Sequence, residues 1–104
     1  GSIYRRALNV QSSNYTLTNS DNVVLMDTNS GTLTASLPSI GAANEGIEYT
    51  IKNIGSNLMV IKNDDAGNSI DGSARGLTGS LGHAWTLMSD GTVWLILSSH
   101  SSSA

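Results

Sequence analysis

The chain has 104 residues, eight acidic against five basic side chains, a formal net charge of −3, and no cysteine. That composition excludes a disulfide framework, a thiol nucleophile and a cysteine-held zinc. The five basic residues, of which only Arg5 and Arg6 are adjacent, argue against the clustered stripe that a nucleic-acid surface needs. No apolar run approaches a membrane span and no signal peptide opens the chain, so membrane insertion is not expected either. With 38% hydrophobic residues the chain can still build one core, and a single domain over 1–104 is expected. Gly1-Ser2 reads as a cloning scar, and the abrupt start at Ile3 as a piece cut from a longer polypeptide.

β-rich runs separated by Gly, Asn, Asp and Ser clusters recur about every 8 to 12 residues, the pattern of an all-β sandwich or barrel. Strands are predicted over 4–10, 15–18, 23–27, 33–37, 47–53, 58–62, 77–78, 84–89 and 92–97. Residues 38–45 form a connector with at most one helical turn, capped by Ser39. Ile54-Gly55-Ser56 is expected to close a hairpin, with Gly55 in a left-handed conformation, and Asp90-Gly91 to close another as a type I′ turn. Gly72, Gly76, Gly79 and Gly82 keep no fixed spacing and no duplication is visible, which argues against a solenoid. Ser98 to Ala104 reads as a mobile tail. The fold expected is an antiparallel, jelly-roll-like β-sandwich of eight or nine short strands.

A half-exposed strand alternates apolar with polar residues, because successive side chains point to opposite faces. Val23-Val24-Leu25-Met26, Leu58-Met59-Val60-Ile61 and Val93-Trp94-Leu95-Ile96-Leu97 do not alternate. Both of their faces want burial, and a two-layer sandwich covers only one. Self-association is the remedy the pattern points to, at roughly 1.5 to 3 kcal/mol for each such side chain buried. Met26, Met59, Trp94 and Ile96 are the candidate interface residues; loops covering the outer face are the alternative.

Candidates for chemistry are few. His83 and His100 are the only imidazoles, neither stands in a nucleophile motif, and the pairs Glu45/Glu48 and Asp64/Asp65 read as solvated surface rather than glycosidase carboxylates. Residues 63–72 carry enough oxygen ligands to raise calcium, but lack EF-hand spacing and read as a loop. The glycines of 72–82 lack a Gly-Lys-Ser/Thr, so nucleotide binding is not expected. No cofactor, metal or catalytic residue is predicted. Asn14-Tyr15-Thr16 matches the N-glycosylation acceptor, which matters only in a eukaryotic secretory setting. Among Tyr4, Tyr15, Tyr49, Trp85 and Trp94, the core is the expected place for Tyr49 and Trp85. Tyr15 and Trp94 are the candidate platforms for a sugar ring.

From Tyr15 to Leu97 the order of segments resembles a β-sandwich module found near the C-termini of bacteriophage tail fibres and tailspikes. The residues that carry it are Leu37-Pro38, Gly46 to Ser56 (GIEYTIKNIGS), Ser69-Ile70-Asp71-Gly72, and Leu87 to Trp94 (LMSDGTVW). The resemblance implies a homotrimer at the fibre tip, on the virion tail, with host-surface polysaccharide as a contact in some cases. It transfers no catalytic residue, since the depolymerase activity of tailspikes belongs to a separate domain. A monomeric carbohydrate-binding module of a secreted bacterial enzyme shares the composition but predicts no assembly.

Overall fold

The computed structural model describes residues 8–39, 41, 45–63, 70 and 76–100. Among them are nine strands and no helix: β1 (Leu8–Gln11), β2 (Tyr15–Thr16), β3 (Val23–Met26), β4 (Leu33–Leu37), β5 (Glu48–Asn53), β6 (Met59–Asn63), β7 (Gly76–Gly79), β8 (Ala84–Ser89) and β9 (Trp94–His100). Each corresponds to a predicted run. Sheet A has the order β1-β3-β5-β8-β9 and sheet B the order β2-β4-β6-β7. Alternation places Val24, Met26, Tyr49, Ile51, Trp85, Leu87 and Trp94 on the inner side of sheet A. Ala35, Leu37, Met59 and Ile61 take the inner side of sheet B, and with Leu17 and Ile70 these residues form one buried core.

The expected antiparallel, jelly-roll-like arrangement is corrected. β1, β3 and β5 run parallel to one another in sheet A, and β2, β4 and β6 run parallel in sheet B. Only β7, β8 and β9 join antiparallel. The first six strands therefore wind from sheet to sheet as three stacked coils, which the absence of a repeat had argued against. The coils differ in length: Leu8 pairs with Val23 and Val23 with Thr50, while Tyr15 pairs with Ala35 and Ala35 with Ile61. A coil whose loops vary this much leaves no period to detect.

Two local expectations change with it. Asn53 and Met59 lie in different sheets, so Ile54-Gly55-Ser56 opens a crossover rather than a hairpin. Gly55 is not among the positive-φ glycines; a close approach of backbone requires it instead. A side chain there would collide with Thr28 N, with Asn29 N at 2.6 Å and with Thr28 Oγ1 at 2.6 Å.

The last hairpin is present, but its loop is the four residues 90–93, with Gly91 at φ 92°. Asp90 Oδ1 accepts the Thr92 and Val93 amides, both at 2.8 Å, and these bonds hold its carboxyl below the ordinary range. β9 runs on to His100, so Ser98 to His100 are ladder residues opposite Ala84 to Thr86 rather than a tail. Of the 38–45 connector, the described residues are not helical. Most of the 63–72 segment lies outside the described residues, although Asn63 ends β6 and Ile70 is fully buried.

Candidate functional surfaces

Met26, Met59 and Trp94, expected at an interface, have no exposed surface, and Ile96 packs against the core. Their sequence neighbours take the outward positions. On the outer face of sheet A, Leu8 stands opposite Val23 and Val10 opposite Leu25. Leu8 and Val10 are 65% and 55% exposed. The Leu8–Val23 row continues through Thr50 and Thr86, whose hydroxyls lie 3.3 Å apart, and the Val10–Leu25 row through Lys52 and Ala84. Near the final loop, Met88 opposes Leu95 on the same face. The outer face of sheet B differs: Thr34, Val60 and Thr78 form one row, and Thr16, Ser36, Lys62 and Gly76 the other. Sheet A thus carries the apolar outer face and sheet B a hydroxyl-rich one. The parity of β1 points the other way: Leu8 and Val10 alternate with Asn9 and Gln11, yet it is Asn9 and Gln11 that stand beside the buried Val24 and Met26, and the apolar pair that faces out.

Neither candidate sugar platform lies open. Trp94 is fully buried, with its ring centroid 5.5 Å from that of Tyr49 and its indole Nε1 without a hydrogen-bond partner. Tyr15 is half-buried, and its hydroxyl donates to Asp21 Oδ2 at 2.7 Å while accepting Asn9 Nδ2 at 2.9 Å. These bonds serve a cluster centred on Asp21, which ties β1, β2 and the turn before β3 together. Asp21 Oδ2 also accepts the Thr18 amide at 2.9 Å, and its Oδ1 accepts Asn9 Nδ2 at 3.1 Å. Burial pushes the Asp21 carboxyl up, but the Thr18 amide, the Tyr15 hydroxyl and Asn9 together hold it below the ordinary value. The same bond to Asp21, followed by burial, raises Tyr15. Tyr49, which donates to Thr18 O at 2.7 Å, is pushed up to about 12, chiefly by burial.

A second polar cluster, which the sequence reading missed, locks the crossovers at the other end of the sandwich. Asn53 and Thr28 are both fully buried. Asn53 Oδ1 accepts the Thr28 hydroxyl at 2.8 Å and the Gly55 amide at 3.0 Å, while Nδ2 donates to Asn57 O at 2.8 Å and Gly79 O at 3.2 Å. Asn57 Nδ2 donates to Thr28 O at 2.6 Å. The available signal was Asn53 itself, which shares the inward parity of Tyr49 and Ile51.

His83 stacks on Trp85, ring centroids 3.8 Å apart, and its Nε2 lies 3.1 Å from Ser99 Oγ. A histidine beside a serine is the first half of a nucleophile pair, but a working pair needs a third group to orient the base. The contact that orients His83 here is a ring stack. Among the described residues no three of His, Asp and Glu lie close enough to share a metal ion.

Burial, then the neighbouring His100, pushes His83 below its ordinary 6.5. A group depressed in the folded state contributes stability that is complete above its unfolded value and is lost as pH falls through the folded one. The window for His83 therefore opens below 6.5, and that for Asp21 below 3.8. Thermal unfolding followed from pH 8 to pH 3 is expected to show two separate declines, with His83→Gln removing only the upper one. A parent chain with a single decline near the carboxylate range would contradict the assignment to His83.

No protein-family model matches the chain, and comparison with curated proteins finds no significant relative.

Proposed function

We propose that this chain is a non-catalytic structural module of the kind that tips bacteriophage tail fibres and tailspikes, assembling as a homotrimer on the virion tail. The observation that carries the reading is the apolar outer face of sheet A, where Leu8, Val10, Val23 and Leu25 stand as two cross-strand pairs with no layer of this chain's described residues over them. Further copies of the chain are the occupants the face fits. Glu48 and Lys52 stand on that same face of β5, so copies related by rotation can set one charge against the other. Burial of the four apolar side chains at up to roughly 1.5 to 3 kcal/mol each supplies a driving force on every subunit.

Light scattering after size exclusion, over a dilution series, tests the assembly. A mass of three times 10.8 kDa that persists on dilution is the expected result. Leu25→Asp is expected to reduce it to the single-chain mass with the β-sheet circular dichroism retained, since Leu25 points away from the core. A parent chain that is already monomeric would remove the proposal and favour a carbohydrate-binding module. In the fibre-tip reading, the surface left for host polysaccharide is the hydroxyl face of sheet B, because Tyr15 is engaged and Tyr49, Trp85 and Trp94 are buried. A glycan array of the assembled oligomer with no signal above background would leave the structural role and remove the attachment role.

A further inference from the structure

β1 stands in sheet A the wrong way round for its own sequence. Leu8 and Val10 alternate with Asn9 and Gln11, the pattern of a strand that lays its aliphatic side against a core. Yet Asn9 and Gln11 face inward, beside the buried Val24 and Met26, and the aliphatic pair lies exposed. β3, β5, β8 and β9 each contribute apolar side chains to the core, and β1 contributes none. A local pattern overridden by the fold marks a place where a specific interaction holds the chain.

A shift of one residue along its neighbour turns every side chain of a strand to the opposite face. β1 has four residues and pairs only with β3, so few ladder bonds oppose such a shift. What separates the two arrangements is a chain of polar contacts on the inner side. Gln11 Nε2 donates to Asn9 Oδ1 at 2.8 Å, and Asn9 Nδ2 donates to the Tyr15 hydroxyl at 2.9 Å and to Asp21 Oδ1 at 3.1 Å. The carboxylate at the end of this chain is placed without help from β1. Asp21 N donates to Thr18 O at 3.1 Å, which closes a turn, and Asp21 Oδ2 accepts the Thr18 amide and the Thr18 and Tyr15 hydroxyls. Asp21 is only 8% exposed. An aliphatic side chain in the place of Asn9 would bring no donor to Oδ1 and would take water from a charge.

We propose that Asp21 is the positioning residue of β1: its carboxylate selects the polar side of the strand and thereby turns Leu8 and Val10 outward, onto the face that further copies of the chain would cover. Fixing register at some cost in hydrophobic burial is the best-attested use of a buried polar group. The selection of the face stands on the strand and its cluster alone, whereas its consequence for assembly rests on the trimer reading. Backbone groups report which face has been selected, because N–H and C=O alternate along a strand in step with the side chains. Asp27 N donates to Gln11 O at 2.8 Å, so Asn9 and Gln11 address β3 while Leu8 and Val10 direct their backbone groups away from it. A strand turned over exchanges the two sets.

The test is amide hydrogen exchange in the parent, Asp21→Leu and Asp21→Asn. Asp21→Leu is expected to reverse the parent pattern: the Asn9 and Gln11 amides quicken and the Val10 amide slows, each by about tenfold or more. Asp21→Asn, which can still bond Asn9, is expected to keep it. An Asp21→Leu chain with the parent pattern, or with fast exchange at all three amides as a mere anchor would give, overturns the proposal. Should Asp21→Leu fail to fold, a chain that keeps Asp21 and interchanges the β1 side chains (Leu8→Asn, Asn9→Leu, Val10→Gln, Gln11→Val) decides the matter. Slow exchange at positions 8 and 10 is expected there, because the polar side is again drawn to Asp21; slow exchange at 9 and 11 overturns the proposal. Solution mass is measured in parallel. A parent of single-chain mass removes the trimer reading, and exchange still decides the role of Asp21.

Discussion

Gly55→Ala is expected to be among the most damaging single substitutions in the chain, lowering stability by about 3 to 5 kcal/mol as overpacking adds to broken buried hydrogen bonds. The methyl group would press on the Thr28 and Asn29 amide nitrogens and the Thr28 hydroxyl, and backbone cannot yield as a side-chain tip can. Thr28 is fully buried and bonded to Asn53, so any retreat breaks the lock between the β3–β4 and β5–β6 crossovers. Gly41 provides the comparison. A methyl there meets nothing within 4 Å among the described residues. Against a typical total of about 5 to 15 kcal/mol, Gly55→Ala should leave the chain barely folded at room temperature, while Gly41→Ala stays folded. Urea denaturation of the two variants side by side measures this, and a Gly55→Ala midpoint equal to that of the parent would refute the close-approach account.

Asn53→Asp is the second large effect, and its pH dependence makes it diagnostic. The substitution keeps shape and retains the acceptor for Gly55 N and Thr28 Oγ1, but turns the donor facing Asn57 O and Gly79 O into a second acceptor. A fully buried carboxylate aimed at two carbonyl oxygens is expected to cost about 3 kcal/mol or more at neutral pH. Burial and those oxygens push the introduced carboxyl up, so its protonated form is favoured in the folded state. Stability lost at pH 7 is then partly regained as pH falls through the raised value, the reverse of the Asp21 and His83 trend. Denaturation midpoints of parent and variant should therefore converge between pH 7 and pH 5. Midpoints that stay equally far apart would show that Asn53 acts through shape alone.

The nine strands were legible because turn residues punctuate them, and Leu33–Leu37 and Ala84–Ser89 match to the residue. Strand direction was not legible. A buried strand with apolar residues on both faces, such as Val23–Met26, reads identically in parallel and antiparallel ladders, and the variable crossovers hid the coil. The two-faced pattern showed that both faces are apolar but not which face turns inward. Met26 and Met59 were therefore assigned to the surface, while Val23 and Leu25 carry it. Sequence also cannot separate two reasons for a glycine, an unusual φ or a neighbour too close for a side chain. Gly91 has the first reason and Gly55 the second. The Thr28–Asn53–Asn57 lock joins residues more than twenty positions apart, beyond any local motif.

The order of sheet A also fixes how the domain meets mechanical load. β1 and β9 are its two opposite edges, and because β8 reverses the direction of β5 and β9 reverses it again, β1 and β9 point the same way. The chain enters at the start of one edge and leaves at the end of the other, at diagonal corners of the sheet. Across the sheet the corners are four strand spacings of about 4.8 Å apart, comparable to the strand length at about 3.3 Å per residue, so tension between them acts obliquely and loads the cross-strand hydrogen bonds partly in shear rather than purely by opening them one at a time. Such a sheet resists being pulled lengthwise far better than being peeled, whatever its equilibrium stability.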